Sequence, residues 1–301
     1  MQALVPNGRS SYRWKFSPVP DALHVLIPLR HAEDWRSLFF LSGFLGLVTV
    51  QWMGWFRHWW LLPPTCVLAF IACVIKHNHI HYRTFSSRPW NRMFDYLLGF
   101  CTGQPTTAII PVHNERHHAQ NHSDQDCVRS TSVNFRMNWL NLLAFPVVAV
   151  RNVYRVKTAD FQRWRNDKPA MYRRLLHERL AVVGFIAVLL VLDWRATLLY
   201  CAVPWLCGQW GIVAINLLQH QDCDHHSDFD HSRNVTGRFI NWLFLNNGFH
   251  TAHHLRPALH WSRLPEFHRQ SVAPYMRPDL NHRSLWLSIW RQFFTAHRQK
   301  S

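Results

Sequence analysis

Apolar residues in this chain gather into long runs instead of alternating with polar ones at the period of a strand or a surface helix. Ser37 to Phe56 is twenty residues without a charge. As a helix rising about 1.5 Å per residue, it crosses a hydrocarbon layer about 30 Å thick. Only Arg57 and His58 separate it from a second run, Trp59 to Ile75, whose Pro63 and Pro64 fall near its start, where a helix tolerates proline best. The pair predicts a transmembrane hairpin over 35–75. Trp52, Trp55, Trp59 and Trp60 cluster at its tip, an interfacial position that indoles favour. Further on, Leu180 to Leu192, a break at Asp193, Trp194 and Arg195, and then Ala196 to Leu218 predict a second hairpin over 180–218. Two weaker stretches lie between the hairpins. Phe94 to Val112 is interrupted by Asp95, Gly103 and Pro105, and Trp139 to Val150 is too short to cross, so both read as helices on the membrane surface.

Two hairpins return the chain to one side, so residues 1–34, the segment 76–179 and residues 219–301 share a compartment. Arg and Lys decide which. Arg151 to Arg179 carries nine of them, whereas the hairpin tips offer Arg57 and Arg195. By the positive-inside rule the polar portion is cytoplasmic, on the inner membrane if the source is bacterial. Residues 1–34 are polar and rich in Pro and Arg, without the short apolar core of a cleavable signal, so the first span is expected to anchor the chain. The expected fold is all-α: about four transmembrane helices in two hairpins, with a cytoplasmic helical cap.

Composition narrows the chemistry. With 48% apolar residues in a chain of 301, disorder is excluded. Seven cysteines without a Cys-x-x-Cys pair indicate neither a disulfide framework nor a cysteine-rich zinc module. The 11 glycines form no dinucleotide fingerprint and no phosphate-binding loop. A net charge of +16 is accounted for by anionic headgroups and topology. Nucleic acid is therefore not an expected partner, because a nucleic-acid binder has no use for the apolar runs.

The distinctive residue is histidine, with 22 copies. Nine of them fall in four groups at or beyond the cytoplasmic ends of apolar segments: His77 and His81; His113, His117 and His118; His220; and His250, His253 and His254. Residues three or four apart share a helix face, so His77 can join His81 at one metal, and His250 can join His253 or His254. In the doublets His117-His118 and His253-His254, adjacent side chains diverge by roughly 100°, so one doublet can serve two neighbouring ions. Nine imidazoles exceed the four ligands of a tetrahedral zinc. A di-metal site is the natural count, and imidazole alone suits iron, zinc, copper or nickel. His79 and His122 are candidate donors orienting the ligands. His225 and His226 lie in an acidic stretch that lacks the central glycine and final glutamate of a calcium loop. A histidine-rich metal transporter is the competing class. Transporters, however, place their ligands within the spans, near the midplane, and here the spans hold almost none.

Boxes of the form H-x3-H, H-x3-H-H and H-x2-H-H after membrane hairpins resemble those of the membrane fatty acid desaturase and hydroxylase superfamily, from about His77 to His268. The third box is the most specific part: Asn246, Asn247, then Gly248-Phe249-His250-Thr251-Ala252-His253-His254, followed by Pro257, Trp261, Leu264 and Pro265. Asn216, four residues before His220, is similar to the family's Asn that accompanies a further His ligand. The resemblance implies two iron ions held by the nine histidines, with Asn216 near one iron through water and Asn247 beside the site. It also implies dioxygen as co-substrate, a fatty acyl or other lipid substrate, and an oxygen-dependent desaturase activity. The first box has three intervening residues where many acyl-CoA desaturases have four, so acyl-CoA is not carried over as the substrate. Leu218 to His220 followed by Asp224, His225 and His226 is also similar to alkane hydroxylases, which keeps hydroxylation, and with it oxidative decarboxylation, as the alternative outcome. No fused haem-binding segment is visible, so electrons are expected from a separate reductant of the ferredoxin, rubredoxin or cytochrome b5 type.

Overall fold

In a computed structural model of the chain, residues 27–295 are described. Most of the N-terminal segment 1–34 and the last six residues lie outside them. The described chain is mostly helical, with almost no strand. Helix α1 (Trp35–Trp52) and helix α2 (Leu62–His81) form the first antiparallel pair. The proline pair of α2 stands in its first turn, where the missing N–H groups have no helical partner to lose. Gln51 is completely buried between the two helices and donates through Nε2 to Leu47 O and Thr65 Oγ1, both at 2.9 Å.

Helix α3 (Arg88–Thr102) stops at Gly103, whose φ of +65° is the left-handed cap that glycine adopts without strain. Helix α4 (Asn138–Asp167) turns at Lys168 into α5 (Pro169–Thr197). The stretch Trp139 to Val150, read from hydropathy as a short surface helix, is thus only the start of a 30-residue helix. Apolarity ends at Val150, but the Arg- and Lys-rich residues that follow are good helix formers and carry no breaker. For the same reason α5 starts at Pro169, well before Leu180.

At Asp193 the backbone leaves helical geometry (φ −154°, ψ 93°), and its carboxylate accepts from Ala196 N at 2.9 Å, capping the stretch that leads into α6 (Val203–His220). Here the chain doubles back. Trp52 Nε1 donates to Thr197 Oγ1 at 2.9 Å, and Arg57 lies 3.4 Å from Asp193, so the turn after α1 meets the turn within α5 at one end of the bundle. The histidine boxes lie at the opposite ends of α2 and α6. These two helices pack closely enough that a Cβ added to Gly208 would stand 2.7 Å from the backbone of Ala69.

By length and composition, two stretches among the described residues can cross a membrane: Trp59–His81 and Pro169–His220, the latter 52 residues long and broken at Asp193. Only 17% of the most apolar window of the second is buried, and Leu180, Val183, Val191 and Leu206 face outward. Beyond α6, short helices α7 (Arg238–Leu243), α8 (His250–Leu255), α9 (Leu264–Ser271) and α10 (Leu285–Ile289) are tied by a two-residue parallel pair, β1 (Asn234–Val235) with β2 (Asn281–His282).

Candidate metal centre

The nine histidines of the four boxes converge. His77, His81, His113, His118 and His253 form one group, and His117, His220, His250 and His254 form a second. Within each group the potential ligand atoms all lie within 4.8 Å of one another. His77 and His81 are one α-helical turn apart on α2 and point to the same group. In the second box, residues Pro111–His118 wind as a π-helix. Its i to i+5 register brings His113 edge-on to His118, with their Nε2 atoms 3.1 Å apart, and sends His117 to the other group. Helix α8 is an ordinary α-helix, so His250 meets His254 (Nε2 to Nε2, 3.1 Å), and His253 crosses to the first group, 3.0 Å from His118 Nε2. Each doublet therefore contributes one ring to each group.

Loop geometry sets up the third box. Gly248 donates its N–H to Asn241 Oδ1 at 3.1 Å, and a Cβ there would collide with Val235 O at 2.1 Å, so no other residue fits. Leu245 and Asn246 just before it hold left-handed φ values of 49° and 58°. Thr251 is fastened on three sides: its N–H donates to Asn234 Oδ1 at 3.0 Å, and its hydroxyl contacts Asn234 Nδ2 and Ser232 Oγ. His250 and the doublet are thereby fixed to the β1 segment.

The donor set fits cations. Burial, reinforced by the neighbouring imidazoles, holds His113, His250, His253 and His254 well below the ordinary histidine value of 6.5, and His118 is lowered in the same way. A neutral ring carries one N–H. His118 Nε2 nevertheless faces two other Nε2 atoms, and His250 Nε2 faces those of His220 at 2.8 Å and His254. Each of these Nε2 atoms can form a well-directed hydrogen bond with one of its two neighbours, and the other contact sets like against like, lone pair on lone pair or N–H on N–H. A cation between them removes that conflict. Two nitrogens about 2.1 Å from one ion and at right angles lie about 3 Å apart, closer than tetrahedral ligands would be. His81 Nε2 and His117 Nε2, also buried, have no protein partner. On the far side of the rings, His117 Nδ1 contacts Asp126 Oδ2 at 3.1 Å and His220 Nδ1 contacts His231 O at 3.2 Å, which frees each Nε2 to bear its lone pair inward.

Asp126 and His231 escape a reading of the sequence, because they lie nine and eleven residues from their partners in no recurrent spacing. The four auxiliary candidates divide. His122 is edge-on to His220, with ring centroids 4.9 Å apart. Asn247 accepts from Gln219 Nε2 through its backbone oxygen at 3.2 Å, bracing the residue before His220. Asn216 turns its amide to Val128 O at 2.9 Å. His79 orients none of the nine. Two residues past His77, it projects from another face of α2, and its ring nitrogens contact Thr84 Oγ1 and Arg83, both at 2.9 Å.

These histidines give the metal-free protein a pH signature. The unfolded chain takes up protons below about pH 6.5, while the folded cap, with its lowered histidines, does not. Stability is expected to be full above that value and to fall progressively as the pH drops beneath it. Thermal melts of chelator-treated protein between pH 8 and pH 5 check this, and a flat profile contradicts it.

The two groups of imidazoles at one end of a helical bundle form a site that could hold two metal ions. The family model for fatty acid desaturases matches residues 54–286, well over half of the chain and including every box. The chain belongs to the fatty acid desaturase family. No curated protein matches the sequence.

Proposed function

We propose that this protein is an integral membrane di-iron desaturase that introduces a double bond into the aliphatic chain of a fatty acyl or related lipid. The observation that carries the reading is the five-and-four grouping of the nine box histidines. In this reading His77, His81, His113, His118 and His253 hold one iron, and His117, His220, His250 and His254 hold the other. The membrane part is four spans in two hairpins, 35–75 and 180–218, supported by the break at Asp193 and by the meeting of both turns at one end. Segments 76–179 and 219–301 form the cap on the cytoplasmic side.

An apolar cavity of about 340 Å³ is bordered by α2, α4, α6 and α10, with Phe70, Leu142, Leu218, Phe244 and Ile289 among its lining. Leu218 and His220 are on the same helix, about 3 Å apart along its axis, so the cavity reaches the level of the cap, and in this reading a hydrocarbon chain enters there on its way to the second histidine group. Two irons in these groups supply activation of dioxygen toward an unactivated C–H bond. The protein's part is placement: the pocket walls align one carbon and its neighbour with the centre and keep water away from it. The balance is that of a desaturase. Two hydrogens leave the chain, a separate redox protein of the ferredoxin, rubredoxin or cytochrome b5 type adds two electrons, and dioxygen leaves as two waters with two further protons.

Reconstitution with ferrous iron, reductant and lipid under labelled dioxygen tests the proposal. It expects an unlabelled alkene of unchanged carbon count. Label in the organic product indicates hydroxylation, a product one carbon shorter indicates decarboxylation, and the absence of oxygen consumption ends the proposal. Asp126→Asn, which removes the charge that orients His117, is expected to weaken iron retention or turnover about 10- to 100-fold. Chelator competition reads this, and wild-type retention removes Asp126 from the orienting role.

A further inference from the structure

The corner where α4 turns into α5, at Lys168, is densely basic. Arg155, Arg163, Arg165, Lys168, Arg173 and Arg179 are all exposed around it, against one exposed carboxylate, Asp167. The other two carboxylates of the stretch turn inward. Asp160 accepts from Arg116 Nε at 2.8 Å and Arg116 Nη2 at 2.9 Å, and Glu178 accepts from Arg174 Nε at 3.0 Å. Arg163 and Lys168 share the single carboxylate of Glu115, at 2.5 and 2.6 Å, whereas Arg165 and Arg173 form no ion pair among the described residues. The outward face is therefore left with a strong positive field.

In the four-span reading this corner stands above the lipid headgroups. The outward-facing apolar side chains of α5 begin at Leu180 and Val183. Pro169, the first residue of α5, is eleven residues earlier, about 16 Å along the axis, whereas a headgroup layer is about 5–8 Å thick on each side of the hydrocarbon. The corner also backs onto the candidate metal centre. Trp164 is completely buried and donates through Nε1 to both carboxylate oxygens of Glu115, each at 3.3 Å. Glu115 lies between His113 and His117 on the π-helix whose rings enter both histidine groups. Electron tunnelling falls off steeply with distance, so a donor must seat close behind the ligands it serves. Negative charge gathers elsewhere on the cap, at the exposed Asp222, Asp224 and Asp228. An acidic partner is thus drawn to the α4–α5 corner and turned away from that loop.

We infer that the α4–α5 corner is the docking surface of the electron donor, a small acidic iron–sulfur or haem protein that seats on Arg163, Arg165, Lys168 and Arg173 behind the second box. The inference rests on the reading of the protein as a desaturase fed by a separate reductant. Each docked donor is oxidised by one electron, and two dockings supply the two electrons that, with two protons and the two hydrogens of the chain, take one dioxygen to two waters. Oxygen consumption by the full-length, iron-loaded protein in nanodiscs tests it. Electrons come either from a reduced acidic ferredoxin, rubredoxin or cytochrome b5, or from a small uncharged mediator reduced at an electrode. The double variant Arg165→Glu with Arg173→Glu is expected to raise KM about tenfold or more for the donor that serves wild type, with kcat unchanged and turnover with the mediator unchanged. In wild type, kcat/KM for that donor is expected to fall as salt screens the corner. Arg269→Glu, the same charge change at an exposed site on α9, is expected to match wild type. An unchanged KM in the double variant overturns the docking surface, and so does an equal rise in Arg269→Glu, which reduces the effect to net charge. Equal loss with the mediator makes the two arginines structural and overturns it as well. A rise seen only in discs containing anionic lipid assigns the corner to headgroups instead. Wild type that runs on the mediator but on none of the three donors also overturns the surface, whereas wild type that consumes oxygen with neither ends the desaturase reading itself.

Discussion

Replacement of His220 by alanine is expected to abolish lipid oxidation and to lower bound metal from two ions per chain to one. His220 is fully buried at the end of α6 and is the only box histidine which that helix supplies. Its Nε2 lies 2.8 Å from His250 Nε2, and its Nδ1, against His231 O, holds the ring in place. No adjacent histidine can substitute for it, because it belongs to no doublet. Outer partners of metal ligands typically cost about 10- to 100-fold when removed, so loss of the ligand itself is expected to exceed about 100-fold. Metal content and reductant-dependent oxygen consumption of the purified variant check this, with the exposed His177→Ala as control. A His220→Ala protein that keeps two ions and full turnover would remove His220 from the site.

Asp95→Ala is expected to destabilise the folded protein severely. Its carboxylate is 1% exposed and receives Arg83 at 2.8 Å, Arg174 at closer range, and His79 at 3.4 Å. Arg174 also reaches Glu178, which accepts from Thr107 N and Thr107 Oγ1, both at 2.7 Å. The cluster thus fastens α2, α3 and α5 to the loop that enters the second box. Breaking a buried ion pair by removing one partner costs about 3–5 kcal/mol, and here it leaves Arg83 without its carboxylate and Arg174 with Glu178 alone. Burial alone would raise the Asp95 pKa, but His79, Arg83 and Arg174 reverse that and hold it below the ordinary carboxylate value. Its contribution is therefore present at neutral pH and is lost as acid titrates it. A lowered melting temperature in detergent at pH 7, with the gap to wild type closing in acid, is the expected result. Equal melting temperatures at pH 7 contradict it.

The candidate site was largely legible because its chemistry is written in residue type and spacing. His77 with His81 and His250 with His254 follow directly from the α-helical turn, and the division of each doublet between two groups follows from side-chain divergence. The pairing of His113 with His118 does not, since nothing in Pro111 to His118 distinguishes a π turn from an α turn. The acceptors on the far side of the rings, Asp126 and the carbonyl of His231, depend on how loops fold back and leave no periodic trace. In the fold, Asp193 is visible as a break because a charge and a tryptophan interrupt an apolar run. The length of α4 is hidden because hydropathy reports which faces are greasy, whereas the helix continues past Val150 because no Gly or Pro follows before Lys168, even though it already holds Pro146.

The parting of the doublets has a mechanical consequence. Neighbouring Cα atoms across a trans peptide are 3.80 Å apart whatever the rest of the molecule does. His117 with His118, and His253 with His254, anchor the two groups through two such covalent links. Ions placed in the two groups would therefore keep their spacing by a pair of stiff staples, and thickening, thinning or tilting of the bilayer around the rods could shift the pair as a unit without stretching the gap between its members.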